Sequence, residues 1–298
     1  MTITKNGMFA IVGRPNVGKS TLLNALAGEK VAIVTDKPQT TRTRISAVAN
    51  RGETQYVFLD TPGFHKPRSR LGDYMVKTVS ASVGEVDAVL LMAETSDRIG
   101  KPEELLIEQI VKAKIPAVLL LNKADALKDK GLLLPAIDIY SKAHPFTAVL
   151  PVSAKTREGL DVLWPILDTF TQDGPMLYPQ GMTSDQPERQ LLAELLREKL
   201  LILLDREIPH GLAVVTEKLD ARDDGLLDIA LTVYCEKESH KGIVIGKHGD
   251  ILRRAGSEVR AEWEAVTGKK VFLETWVKVK ENWRDSASQL RHLGFLDV

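Results

Sequence analysis

Four short stretches hold residues whose types and spacing suit chemistry on a nucleotide. Gly13-Arg14-Pro15-Asn16-Val17-Gly18-Lys19-Ser20 matches GxxxxGK[ST] at every fixed position. Glycines in such a loop let backbone N–H groups turn inward around phosphate oxygens, and a helix opening at Thr21 adds favourable partial charge. The backbone from Asn16 through Val17, Gly18, Lys19, Ser20 and Thr21 is therefore expected to line the phosphates. Lys19 would reach the β- and γ-phosphates, and the Ser20 hydroxyl would ligate Mg²⁺. Asp60-Thr61-Pro62-Gly63 ends an apolar run, which puts Asp60 at the mouth of a strand, where it would hold Mg²⁺ through a water. The Gly63 N–H would meet the γ-phosphate. An Asp-to-Gly turn alone is commonplace, and the preceding phosphate loop is what makes this one informative.

Asn122-Lys123-Ala124-Asp125 closes another apolar run. Guanine offers N1–H and a 2-amino group as donors, and one carboxylate at Asp125 can accept from both. Adenine would leave that carboxylate unpaired, and sites of this kind discriminate by roughly 10⁴-fold or more. Asn122 would support the loop and contact the base edge, and the Lys123 stem would lie over its face. A lone Asn or Asp at such a place is ordinarily a cap or surface turn. Recurrence at a third strand end argues against that here. Ser153, Ala154 and Lys155 follow Val149–Val152 and would give backbone N–H groups to the guanine oxygen.

The runs that must position these loops are Met8–Val12, Tyr56–Leu59, Ala88–Met92, Pro116–Leu121 and Val149–Val152. Each is rich in Val, Ile and Leu without polar alternation, as in strands buried on both faces of a mainly parallel sheet. Helical stretches such as Lys101–Ala113 separate most of them, so the order predicts a doubly wound α/β domain over residues 1–172. Residues 173–187 hold Gly174, Pro175, Pro179, Gly181 and Pro187, a density that reads as a linker.

Residues 188–298 follow a different grammar. Glu188–Asp205 is an amphipathic helix with Leu192, Leu195, Leu196, Leu200 and Leu203 on one face. Leu212–Leu219 and Leu226–Glu236 read as strands. A helix with Leu252, Ala255, Val259, Trp263 and Val266 on one side precedes a final alternating strand from Val271, and a C-terminal helix closes the chain. This is a smaller α+β domain. Trp263 and Trp276 fall in the periodic patterns and are expected in the core rather than as stacking platforms; Cys235 is expected to be a small buried strand residue.

Gly246-Lys247-His248-Gly249 lies between an apolar turn, Ile243–Ile245, and the helix beginning near Asp250. A lone GxxG is usually a plain turn. The order of elements around it raises its value, because a loop of this type between helices clamps the backbone of about four nucleotides. Lys247 supplies charge, Arg253 and its neighbours extend a basic surface, and His248 is either an RNA contact or simply solvated. Residues 241–298 carry eleven Lys and Arg against eight Asp and Glu, enough for a patch.

Bulk properties exclude other classes. Forty basic residues balance forty acidic ones, so net charge argues for no partner. With one cysteine there is neither an internal disulfide nor a cysteine zinc site, which fits a reducing compartment. The opening residues Met1-Thr2-Ile3 and beyond lack a long apolar stretch, and the longest apolar runs fall short of a membrane span. The expected setting is the cytoplasm.

In order and spacing, GRPNVGKS, PQTTR (Pro38–Arg42), DTPG, NKAD and SAK resemble the motifs of translation-factor-class small GTPases. The resemblance implies GTP/GDP as ligand and a switch-loop threonine completing the Mg²⁺ shell: Thr41 by position, Thr40 as the fallback. Lys19, Thr41 and Gly63 would then serve hydrolysis directly. Many such enzymes orient the attacking water with a glutamine just after the DxxG glycine; here the position is Phe64, which implies slow turnover. Asn16 resembles the phosphate-loop asparagine of GTPases that use K⁺ in place of an arginine finger. With GKHG in a type II KH context, the whole chain is similar to the Era-like GTPases of bacteria, including Phe64-His65 after the DTPG turn. That resemblance implies binding near the 3′ end of 16S rRNA, a role in small ribosomal subunit assembly, a monomeric state and peripheral association with the inner membrane. Two alternatives stay open: an RNA-binding module that uses the nucleotide site as a sensor with negligible turnover, and a GTPase whose second domain binds protein or membrane.

Overall fold

The structure is a computed structural model that describes residues 3–64, 69–204 and 211–295. His65 and Asp205 lie outside the described residues, as do Met1 and Thr2. By its contacts the chain divides into two units. Unit 1 comprises Met1–Ala32, Thr41–Pro67 and Gly72–Asp185; unit 2 comprises Ile33–Thr40, Arg68–Leu71 and Gln186–Val298.

In chain order the first elements are β1 (Lys5–Gly13), α1 (Lys19–Ala27), β2 (Ile45–Arg51), β3 (Thr54–Asp60), α2 (Arg70–Gly84), β4 (Ala88–Glu94) and α3 (Lys101–Ala113). They continue with β5 (Ala117–Asn122), α4 (Leu133–Ala143), β6 (Ala148–Pro151), α5 (Leu160–Asp168) and β7 (Gln172–Asp173). The sheet runs β2-β3-β1-β4-β5-β6, with β7 paired to β1. Pairings among β3, β1, β4, β5 and β6 are parallel, whereas β2 and β7 pair antiparallel.

Period-two alternation sends side chains to two cores. Phe9, Ile11, Leu90, Met92, Val118 and Leu120 pack with α1 and α5. Ala10, Val12, Val89, Leu91, Leu119 and Leu121 pack with α2, α3 and α4 on the other face. Helices on both faces explain why these strands read as continuous apolar runs. Sequence reading found β1, β3, β4, β5 and β6 and missed β2, whose Ser46, Asn50 and Arg51 dilute its apolar character. The Pro- and Gly-dense segment after β7 lies along this unit: Asn6 donates to the Pro175 carbonyl, buried Gln55 accepts from the Leu177 and Tyr178 amides, and Val48 N–H donates to the Thr183 carbonyl.

Unit 2 contains α6 (Glu188–Leu203), β8 (Ala213–Ala221), β9 (Leu227–Cys235), α7 (Glu238–Ile245), α8 (Asp250–Thr267), β10 (Val271–Val279) and α9 (Ala287–His292). Its sheet is ordered β10-β9-β8, with β9–β10 parallel and β8–β9 antiparallel. Leucines of α6, Val244 of α7, and Ala255, Val259 and Trp263 of α8 pack on Ile229, Leu231, Val233 and Cys235. The sequence reading took the end of α7 for an apolar turn, because its eight residues show little amphipathic patterning.

Two core expectations fail. Val266 is 71% exposed, since the last turn of α8 runs past the cluster it packs on. Trp276 is 58% exposed: on β10 it shares the outer face with Phe272, Glu274 and Lys278, while Val271, Leu273 and Val277 face the helices. Trp263 and Cys235 are buried as expected.

The segment Ile33–Thr40, between α1 and Thr41, folds with α6. Ile33 joins the core of unit 2, Val34 N–H donates to Glu198 Oε1 at 2.9 Å, and Arg197 donates to the Thr40 carbonyl. Arg197 is 1% exposed and also pairs with Glu194.

Candidate functional site

The phosphate loop joins β1 to α1. Gly18 has φ 104°, and a Cβ there would strike the Asn122 side chain, so this position requires glycine. Asn16, also at positive φ, is exposed at the loop tip. Lys19 is 6% exposed, with Nζ donating to the carbonyls of Gly13 and Arg14 at 3.2 and 3.1 Å. Burial pushes its ammonium down to about 8, with the Asp60 charge opposing.

At the end of β3, Asp60 is wholly buried and its Oδ2 accepts from Ser20 Oγ at 2.6 Å and Thr41 Oγ1 at 3.3 Å. The two hydroxyls are 2.7 Å apart. Asp60 Oδ1 has no hydrogen-bond partner among the described residues. Burial pushes the Asp60 carboxyl up, and the Lys19 charge and the Ser20 and Thr41 hydrogen bonds pull it back. One bare carboxylate oxygen beside two hydroxyls and an ammonium suits a small hard cation that takes its other ligands from phosphate and water. Among the described residues no group of three or more His, Cys, Asp or Glu forms an alternative metal cage. Thr40 lies elsewhere: its hydroxyl bonds Thr35 Oγ1 and the Lys37 carbonyl, both at 2.7 Å. Phe64 N–H ties the DTPG turn to Gly13 O at 3.1 Å, and the Phe64 ring is 6% exposed in the core.

At the end of β5, the Asn122 amide braces two loops. Nδ2 donates to Val17 O at 2.7 Å, and Oδ1 accepts from Ala154 N–H at 2.9 Å. The amide thus holds the loops in register. Ser153 N–H is engaged by Glu158 O. Of the three amides expected to face the guanine oxygen, only Lys155 N–H carries no bond to the described residues. Asp125 is exposed, and its carboxylate makes no hydrogen bond or ion pair among the described residues. Lys123 Nζ pairs with Glu94 Oε1 at 2.6 Å, and Arg14 joins the same carboxylate at 2.8 Å. Partial burial pushes Glu94 up, but the Lys123 and Arg14 charges outweigh it and hold the carboxyl below its usual range. This Arg14–Glu94–Lys123 bridge links the phosphate and base loops, and no motif in the sequence marked Glu94.

In unit 2 the GKHG turn connects α7 and α8. Gly246, His248 and Gly249 have φ of 79°, 54° and 77°. A Cβ at Gly246 would meet Ile251 N at 2.9 Å. Lys247 and His248 are exposed, and Arg253 Nη2 donates to the His248 carbonyl at 2.9 Å. A groove of about 400 Å³ leads away between α8 and the open edge of β10, lined by Gly249, Leu252, Arg253, Gly256, Phe272 and Leu273 among others. Among the described residues no helix is long and apolar enough to cross a membrane.

This fold and these loops define a P-loop GTPase domain followed by a KH domain. Comparison with known proteins agrees: the 50S ribosome-binding GTPase family matches residues 8–123, and the KH domain family matches residues 207–284. GTPase Era of Ruminiclostridium cellulolyticum is 46% identical over 98% of this chain and 97% of its own. A solved tyrosine variant of Aquifex aeolicus Era, bound to GDP·AlF4⁻, has a TM-score of 0.94 and 37% identity, covering 98% of this chain and 99% of that one. The same figures hold for a structure of Era in complex with MgGDPNP and nucleotides 1506–1542 of 16S ribosomal RNA. The chain belongs to the GTPase Era family and is an enzyme of GTP hydrolysis.

Proposed function

We propose that the protein is a GTP-driven switch that binds 16S rRNA near its 3′ end and assists assembly of the small ribosomal subunit. The observation that carries the nucleotide half is the buried Asp60, with one bare oxygen, set between Ser20, Thr41 and Lys19. The RNA half rests on the GKHG turn and its groove, together with the full-length likeness to a relative solved with Mg²⁺, a GTP analogue and this RNA segment.

In this reading Asn16 to Thr21 cradle the phosphates, and Ser20, Thr41 and Asp60 hold Mg²⁺. The ion neutralises charge on the β- and γ-phosphate oxygens. Thr41 rather than Thr40 takes this part, because Thr40 spends its hydroxyl within its own loop. Lys19 sets its ammonium against the γ-phosphate, and the Gly63 amide steadies that group. Asp125 reads the guanine donors, Lys155 N–H meets its oxygen, and Asn122 keeps both loops in place. Phe64, packed into the core, orients no water, so intrinsic turnover is slow. Asn16 at the loop tip would admit K⁺ as the missing positive charge. Gly246, Lys247, His248, Gly249 and Arg253 grip the RNA backbone. The protein acts as a cytoplasmic monomer, with peripheral contact at the inner membrane.

Multiple-turnover phosphate release from the full chain tests this reading, run in KCl and in NaCl, with and without the rRNA segment. Slow release accelerated by K⁺ is expected. Equal rates in the two salts remove K⁺. No release under any condition favours the sensor alternative, which the buried Phe64 ring keeps open.

A further inference from the structure

The outer face of β10 carries two large rings in solvent. Phe272 is 44% exposed and Trp276 is 58% exposed, four residues apart on one strand, hence about 13 Å. The other tryptophans of this unit, Trp263 and Trp283, are 3% and 0% exposed. Burying Trp276 against the unit's own core is therefore something this fold does not do. The Arg222 guanidinium lies 5.1 Å from the Phe272 ring centroid and is fixed there by Asp228, which accepts from Arg222 Nε and Nη2 at 3.0 and 2.8 Å. Asp228 is the β9 residue directly opposite Phe272. Phe272 also lines the groove that leaves the GKHG turn, so groove and outer face meet at this residue.

We propose that this face is a stacking platform for single-stranded RNA that leaves the GKHG groove around the open edge of β10. Two rings this far apart cannot share one base, so each receives its own. Base–aromatic stacking tolerates any sequence and gains from a neighbouring guanidinium. Glu274 lies between the rings on the same face, and its carboxylate repels phosphates. The chain therefore turns its bases toward the sheet and keeps its phosphates toward Arg222 at one end and Lys278 at the other. Continuity with the groove and this arrangement of charge favour RNA over an apolar protein segment, which would bury Glu274 unpaired. The platform lengthens the footprint beyond the four nucleotides that the turn holds.

The inference rests on the RNA reading above, and one experiment separates the two. RNA of nucleotides 1506–1542, with a series shortened stepwise from each end, is titrated against the full chain by fluorescence anisotropy at fixed salt. Trp276→Ala and Phe272→Ala should each weaken the longest RNA by about 5- to 150-fold. Trp276→Ala should leave the shortest RNA that still binds unchanged, and Trp276→Phe should recover most of the loss. RNA should quench tryptophan emission in the unchanged chain and not in Trp276→Phe. Equal affinity of Trp276→Ala and the unchanged chain for every RNA overturns the platform, as does an altered oligomeric state with RNA binding intact. If Lys247→Asp with His248→Asp leaves RNA binding unchanged, the groove reading itself falls.

Discussion

The nucleotide loops and the GKHG turn both handle phosphates, yet they are built in opposite ways. In unit 1, Lys19, Asp60, Asn122 and Ser153 are all at most 6% exposed; Asp60 and Asn122 hydrogen-bond across to other loops, and Lys19 and Ser153 bond within their own. In unit 2, Lys247 and His248 are in solvent, and their loop is held by backbone conformation at Gly246, His248 and Gly249. A site that must hold a phosphate chain and a small cation in one geometry needs groups fixed in place before the ligand arrives. A site that grips a repeating sugar-phosphate chain needs only shape and accessible charge. Substitutions in the first should therefore affect fold and ligand together, and substitutions in the second should affect the ligand alone.

The largest expected effect is at Asp125. Asp125→Asn replaces an acceptor with a donor and should exchange guanine for xanthine preference, erasing roughly 10⁴-fold of selectivity in competition binding. Retained GTP preference would remove the role given to this carboxylate. Next, Asp60→Asn should lower Mg²⁺-dependent hydrolysis by about 10²- to 10³-fold in single-turnover assays, with RNA binding of the nucleotide-free chain unchanged. The comparison is sharpest in stability. Asn122→Ala strands Val17 O and Ala154 N–H and should cost about 1–3 kcal/mol in denaturant unfolding, whereas exposed His248→Ala should stay within about 0.5 kcal/mol. Similar costs for both would dissolve the contrast.

The smallest effect concerns pH. Lys19 titrates near 8 when buried without phosphate, and a bound γ-phosphate raises that value. Binding of GTP therefore takes up a proton above pH 8: affinity is full below that pH and falls as pH rises through it, by up to about tenfold per unit. Lys19→Arg, which stays charged, should flatten the profile measured by equilibrium binding.

Much of this contrast was readable in the residues. Strand ends in a doubly wound sheet converge on one crevice, so Lys19, Asp60, Asn122 and Ser153 were found from three or four letters each in the right context. What was missed had no local mark. Glu94 joins the Lys123 and Arg14 charges across 29 and 80 residues of chain. Asn122 was expected to support its loop and contact the base edge, but its spacing could not show that the amide braces Val17 and Ala154 across two loops. Trp276 was misplaced although the signal was present: period two puts it with Glu274 and Lys278, and two charged neighbours on a face mean solvent.

The segment Ile33–Thr40 belongs by contacts to unit 2, although the sequence places it deep in the first half. The two units are thus interleaved modules, and no single cut in the chain separates them. A fragment beginning at Gln186 would leave Arg197 without the Thr40 carbonyl and the core without Ile33. A transplant of the second half onto another GTPase would inherit the same gap. For these residues the unit of inheritance is the whole chain.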